Sequence, residues 1–110
     1  MISPVEFNDI VTTYEKHGWV LRRVLLSPET RRRLTEIPAS VATIDSDIDA
    51  AWFSRPPKVG EISWEIRSLG PTPFALVEFV DEDSPDFEDV LETVKQRMTD
   101  SLSQRKRLDN

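Results

Sequence analysis

The sequence predicts an α+β fold of two layers, with a mainly antiparallel sheet of about four to five strands that carries the N- and C-terminal helices on one face. Two observations predict this fold: amphipathic helix patterns stand near both ends of the chain, and several short strand patterns lie between them. The length of 110 residues suits a single domain. The expected order of elements is α-β-(α)-β-β-β-β-α.

The first helix is expected to begin at the Ser3-Pro4 pair. A serine hydroxyl accepts hydrogen bonds from the free amides of the first turn, and a proline at the first helical position loses no hydrogen bond. The helix should end at His17 and Gly18, where a cation is favoured and a glycine readily adopts a left-handed conformation. Its apolar stripe has helical spacing and consists of Phe7, Ile10, Val11 and Tyr14.

Two further Ser-Pro pairs mark the other helices. Ser27-Pro28 starts a short, exposed connector that has few apolar residues. Ser84-Pro85 starts the last helix, which is amphipathic. Residues 1–103 are therefore expected to form the domain, and the basic segment 104–110 to be a frayed tail. The apolar stripe of the last helix consists of Phe87, Val90, Leu91, Val94, Met98 and Leu102.

Strand patterns rich in β-branched and aromatic residues separate the helices. In the clearest one, Ile62, Trp64 and Ile66 alternate with polar residues, so Trp64 is expected to lie in the core. The turn Gly-Pro-Thr-Pro that follows predicts an antiparallel hairpin with the last strand. The predicted strands are residues 19–26, 40–45, 50–54, 61–69 and 73–80.

The last two strands predict an apolar surface outside the core. We expect Ala75, Val77 and Phe79 to share the inner face with the tryptophan of the preceding strand, which leaves the other apolar residues outside. Helices on one face leave the second face uncovered, and monomers seldom expose large apolar patches. We therefore expect a homodimer. Its interaction residues are Phe74, Leu76 and Val80, with Trp52 or Phe53 beside them.

Charge and composition argue against several classes of partner. The net charge of −6 disfavours nucleic-acid binding, which needs a cationic surface. The lack of cysteine excludes disulfides and thiolate chemistry and fits a reducing compartment. The chain shows neither a signal-peptide pattern nor an apolar run long enough to cross a bilayer. We therefore expect a cytoplasmic protein without a nucleic-acid or membrane partner.

Five arginines lie close together in the sequence. Charge runs usually form solvated faces, which is the first interpretation. The alternative is a weak site for an anion or an acidic peptide, because guanidinium groups pair with carboxylates and phosphates. The five are Arg22, Arg23, Arg31, Arg32 and Arg33.

No motif predicts a catalytic or metal site. The segment DSDID matches the start of a calcium loop, but Ala50 stands where that loop needs glycine and Pro56 where it needs glutamate. We interpret it as an acidic turn. His17 is the only histidine, and a chain with three glycines contains no nucleophile elbow or phosphate-binding glycine loop. We therefore expect no cofactor.

Two functions remain open. The first is a non-enzymatic protein–protein interaction or adaptor module that acts as a homodimer. The alternative is a small-ligand-binding protein or small enzyme in which Glu65, Glu78 and Arg67 line a site on the outer sheet face. In size and composition the chain is similar to small acidic α/β secretion chaperones that dimerise, a likeness that assigns a role to no residue.

Overall fold

The computed structural model describes residues 2–56, 62–70 and 74–108, with side chains as far as residue 104. The α+β class and the order of the elements confirm the prediction. Most of the segment 55–60, which separates the third and fourth predicted strands, lies outside the described residues, as does most of the Gly-Pro-Thr-Pro turn. The elements are α1 (Pro4–Lys16), β1 (Val20–Leu26), α2 (Pro28–Arg33), β2 (Ala42–Asp45), β3 (Ala50–Arg55), β4 (Ile62–Ser68), β5 (Ala75–Val80) and α3 (Phe87–Leu108).

The five strands form one sheet in the order β2-β1-β3-β4-β5. β2 runs parallel to β1, and the other neighbouring strands are antiparallel. Parallel neighbours need a crossover connection, and α2 lies in the connection between β1 and β2. β2 and β5 are the edge strands of the sheet.

Local hydrogen bonds explain where the first two helices begin and end. The Ser3 hydroxyl accepts a hydrogen bond of 3.1 Å from the amide of Glu6, and Ser27 caps α2 in the same way. His17 is the C-cap of α1, and Gly18 follows with a φ of +86°. These contacts confirm the predicted ends of α1 and the predicted start of α2.

The last helix differs at its start from the expected one. α3 begins at Phe87 rather than at Ser84, because Ser84 forms a turn in which its carbonyl accepts from the amide of Phe87. The helical backbone continues to Leu108 and so includes part of the segment that the sequence assigns to a tail. Leu102 is the last described side chain of α3 that packs against the core. Fraying of the tail stays a prediction.

α1 and α3 lie on opposite faces of the sheet, which corrects the expected two-layer arrangement with both helices on one face. Successive side chains of a strand point to opposite faces. In β3, Phe53 belongs to the core that contains Phe7 of α1, whereas Trp52 belongs to the core that contains Leu91 of α3. The central strand therefore buries apolar side chains on both faces, and each face needs its own helix.

The pairing of β4 with β5 also differs from the expected register. Trp64 lies opposite Glu78 and Ile66 lies opposite Leu76, so residues of equal parity share a face. The residues expected on the inner face, such as Val77, therefore lie on the other side of the sheet. A shift of one residue moves every side chain of a strand to the other face. Because β5 is apolar at both sets of alternate positions, its own pattern does not select the register.

Candidate interaction surface

The residues predicted to form the interaction surface lie inside the molecule. Phe74 and Leu76 are half-buried and Val80 is buried, and all three pack in the core beneath α3. Trp52 is buried in the same core, and Phe53 is buried in the core beneath α1. The register of β5 and the helix layer on each face account for the difference. These five residues therefore do not form an exposed surface.

An exposed apolar surface lies on the opposite side of β5. Ala75, Val77 and Phe79 point away from α3, and Val77 and Phe79 are 49% and 62% exposed. Among the described elements, α1 packs on β1, whereas α3 packs on β4 and β5 from the other face. No described helix therefore covers this side of β5. We call Ala75, Val77 and Phe79 the β5 patch.

Two opposite charges adjoin the β5 patch. Glu65 lies across from Val77 and Arg67 across from Ala75, so both charged side chains share the face of the patch. The hydroxyl of Tyr14 donates a hydrogen bond to Glu65. Burial and this hydrogen bond raise the pKa of Tyr14 well above its usual value, so the hydroxyl stays protonated as the donor. The Glu65 carboxylate and the Arg67 guanidinium therefore both lie at the border of the patch.

Sequence reasoning missed Val77 and Phe79 as surface residues. The only polar residue of β5 is Glu78. A polar residue usually lies on the solvent side of a strand, so the sequence favours Leu76, Glu78 and Val80 as the outer face. In the structure Glu78 lies beneath α3 and accepts a hydrogen bond of 3.1 Å from Arg97. The positive charge of Arg97 offsets the cost of placing the Glu78 carboxylate on the inner face. The sequence signal that could have revealed this pair is the position of Arg97 beside the apolar stripe of α3.

The alternative function requires Glu65, Glu78 and Arg67 to lie together, and the structure does not bring them together. Glu65 faces the side of α1, and Glu78 faces the side of α3. Arg67 shares a face with Glu65 alone. The sheet therefore separates the two glutamates.

The five arginines do not form one surface. A β-bulge between Leu21 and Arg23 places the side chains of Arg22 and Arg23 on the same face, that of α3. Arg22 pairs with Glu82 at 3.2 Å, and Arg23 donates two hydrogen bonds of 2.9 and 2.6 Å to Glu88. The hydrogen bonds from Arg23 lower the pKa of Glu88. The first two arginines are thus paired within the chain.

The other three arginines belong to α2. Arg31 pairs with Asp45 of β2, and Arg32 and Arg33 are exposed. Three of the five arginines are therefore already bound to acids of the same chain. Anion or peptide binding by the whole group stays a prediction.

Each aspartate of the DSDID segment binds a different part of the fold. Asp45 pairs with Arg31, Asp47 pairs with Lys95 of α3 at 3.5 Å, and Asp49 accepts hydrogen bonds from the start of α2. A hydrogen bond to its own backbone and the charge of Lys95 lower the pKa of Asp47. The described part of the chain contains no cluster of three or more acids and histidines placed to hold a metal ion. The segment forms the turn between β2 and β3.

Comparisons of the chain with protein-family models, with curated proteins and with solved structures give no match. Within the ranges that the structure describes, no helix is long and apolar enough to cross a membrane.

Proposed function

We propose that the protein is a non-enzymatic interaction module that acts as a homodimer through the β5 patch. The observation that carries the proposal is the exposure of Phe79, at 62%, beside Val77 on a sheet face with no described helix above it. Removal of apolar surface from water is favourable by about 25 cal/mol per Å². A complex in which a protein partner covers the patch is therefore stabilised by this contact.

A second copy of the chain is the partner that best fits the charges around the patch. Two copies with a net charge of −6 repel each other over most orientations. Beside the patch, however, Glu65 and Arg67 balance each other. A two-fold axis through the patch brings Val77 and Phe79 onto the same residues of the second copy and allows Glu65 to pair with the partner's Arg67. This orientation offsets part of the repulsion and buries the exposed apolar residues.

The alternative function, a ligand-binding site or small enzyme built from Glu65, Glu78 and Arg67, has no support in the geometry. The two glutamates lie on opposite faces of the sheet, so they cannot act on one ligand. For the location we propose the cytoplasm, since the lack of cysteine fits a reducing compartment. The acidic net charge supports a partner other than nucleic acid.

Replacing Phe79 with aspartate is expected to convert the dimer into a monomer. The change places a carboxylate in the centre of an apolar contact, and the loss of one central aromatic residue should weaken the dimer by about 100-fold or more. Sedimentation equilibrium at micromolar concentration measures the dissociation constants of the wild type and of Phe79→Asp. Because Phe79 is exposed in the single chain, the stability of the monomer should change little.

Val5→Asp is the matched control for this test. Val5 is 71% exposed on α1, away from the β5 patch, so its substitution should leave the dimer intact. A variant at Leu76 is unsuitable, because that side chain packs beneath α3 and a charge there disturbs the core. A wild type that stays monomeric, or a Phe79→Asp variant that still dimerises, contradicts the proposal.

A further inference from the structure

A groove of about 680 Å³ lies between α1 and the segment 34–41 that connects α2 to β2. Val11 of α1 lines one wall, Ile37 and Val41 line the opposite wall, and Trp19 and Leu21 line the sheet side. All five are half-buried, so each packs against the core beneath α1 and still contributes surface to the groove. The volume falls within the range of ligand-binding pockets. We call this site the α1 groove.

The charged residues of the α1 groove are all acidic. Glu15 lies on the α1 side and Glu36 on the opposite side, and both are exposed. No lysine or arginine is found among the described residues that line the groove. Arg55 stacks over Trp19, with 4.5 Å between the guanidinium carbon and the ring centroid, but it does not belong to the lining. An occupant with apolar groups and a positive charge therefore complements the site.

One wall of the groove is a segment of irregular backbone. The residues from Thr35 to Pro38 belong to neither a helix nor a strand. The amides of Glu36 and Ile37 have no hydrogen-bond acceptor in the part of the chain that the structure describes. Proteins bind extended peptides through main-chain hydrogen bonds together with pockets for the side chains. The carbonyl groups of an extended peptide can accept hydrogen bonds from these two amides, which supports a peptide as the occupant.

The α1 groove is separate from the β5 patch. The groove lies over β1, and the patch lies on β5, which is three strands away in the sheet. Neighbouring strands are ~4.8 Å apart, so the two sites are separated by roughly 14 Å. The two sites share no residue, so a substitution in one leaves the residues of the other unchanged.

We propose that the α1 groove binds an extended segment of a partner protein in which apolar side chains stand next to a lysine or arginine. The apolar side chains enter the space between Val11 and Ile37, and the cation pairs with Glu15 or Glu36. The proposal goes beyond the proposed function, because it concerns a different surface and does not require the homodimer.

The test is selection of random short peptides displayed on phage against the wild-type protein and against a double variant with Glu15→Lys and Glu36→Lys. The wild type should enrich peptides that combine apolar residues with lysine or arginine. The double variant should bind those peptides about tenfold more weakly or worse, measured by fluorescence anisotropy, because both acidic partners become cations. In its own selection it should prefer acidic peptides.

A control double variant makes the same change of charge elsewhere. Asp9 and Glu29 are exposed and do not line the groove, so Asp9→Lys with Glu29→Lys should retain the wild-type affinity. Phe79→Asp should also retain it, which separates this proposal from the dimer. If the wild type proves to be monomeric but still binds the peptides, the homodimer proposal is wrong and the groove proposal holds.

Three results would overturn the groove proposal. The first is that peptides combining apolar residues with lysine or arginine are enriched on the wild type no more than on the Glu15→Lys and Glu36→Lys double variant. The second is enrichment of apolar peptides without a basic residue. The third is binding of dodecylammonium ions in the groove together with no peptide binding, which would assign the site to a small amphiphile.

Discussion

Replacing Trp64 with alanine is expected to lower the free energy of unfolding by about 3 to 5 kcal/mol. Trp64 is 1% exposed and lies in the core between the sheet and α3. Its ring makes edge contacts with Trp52 and Phe87, with centroids 6.1 and 5.2 Å apart. The guanidinium of Arg22 lies over the same ring at 5.0 Å. Alanine leaves a cavity at the point where these groups meet.

Urea titration of three variants measures this effect. Trp64→Phe should show a smaller loss than Trp64→Ala, because it retains an aromatic ring and removes an indole N–H that has no hydrogen-bond acceptor among the described residues. Arg33→Ala is the surface control, since Arg33 is exposed, and should stay within about 0.5 kcal/mol of the wild type. Similar losses for Trp64→Ala and Arg33→Ala would refute the position of Trp64 in the core.

Replacing Asp49 with alanine is expected to cost about 2 to 4 kcal/mol, although the residue belongs to an acidic turn. One carboxylate oxygen of Asp49 accepts a hydrogen bond of 2.7 Å from the amide of Ser27. The other accepts a hydrogen bond of 2.6 Å from the hydroxyl of Thr30, which is fully buried. Alanine leaves both donors without their acceptor. The start of α2 then loses its attachment to the turn before β3.

The same DSDID segment provides the control. Asp47 is an exposed carboxylate, and its ion pair with Lys95 is 3.5 Å long, so Asp47→Ala should cost less than about 1 kcal/mol. Asp49→Asn should give an intermediate loss, because the amide retains one acceptor oxygen. Thermal and urea unfolding of the three variants give the ranking. Equal stability of Asp49→Ala and Asp47→Ala would mean that the hydrogen bonds to α2 contribute nothing.

The sequence was sufficient to predict the order of the elements and the ends of α1, because those features depend on neighbouring residues. The hydroxyl of Ser3 caps the helix that it precedes, and Gly18 adopts the left-handed conformation that ends it. The alternation around Trp64 likewise placed this residue on a buried face. The sequence also predicted an uncovered apolar surface on β5, but assigned it to the wrong set of residues.

Only the tertiary structure decided which face each element occupies. β3 is apolar at every position from Ala50 to Phe53, so its pattern is compatible with helices on one face or on both. In β5 the choice between Leu76 and Val77 as the buried residue depends on α3, whose apolar stripe packs on one set and whose Arg97 compensates Glu78 within that set. The α1 groove likewise exists only because the segment 34–41 lies beside α1. These choices depend on contacts between residues far apart in the chain, and a pattern of neighbouring residues does not contain them.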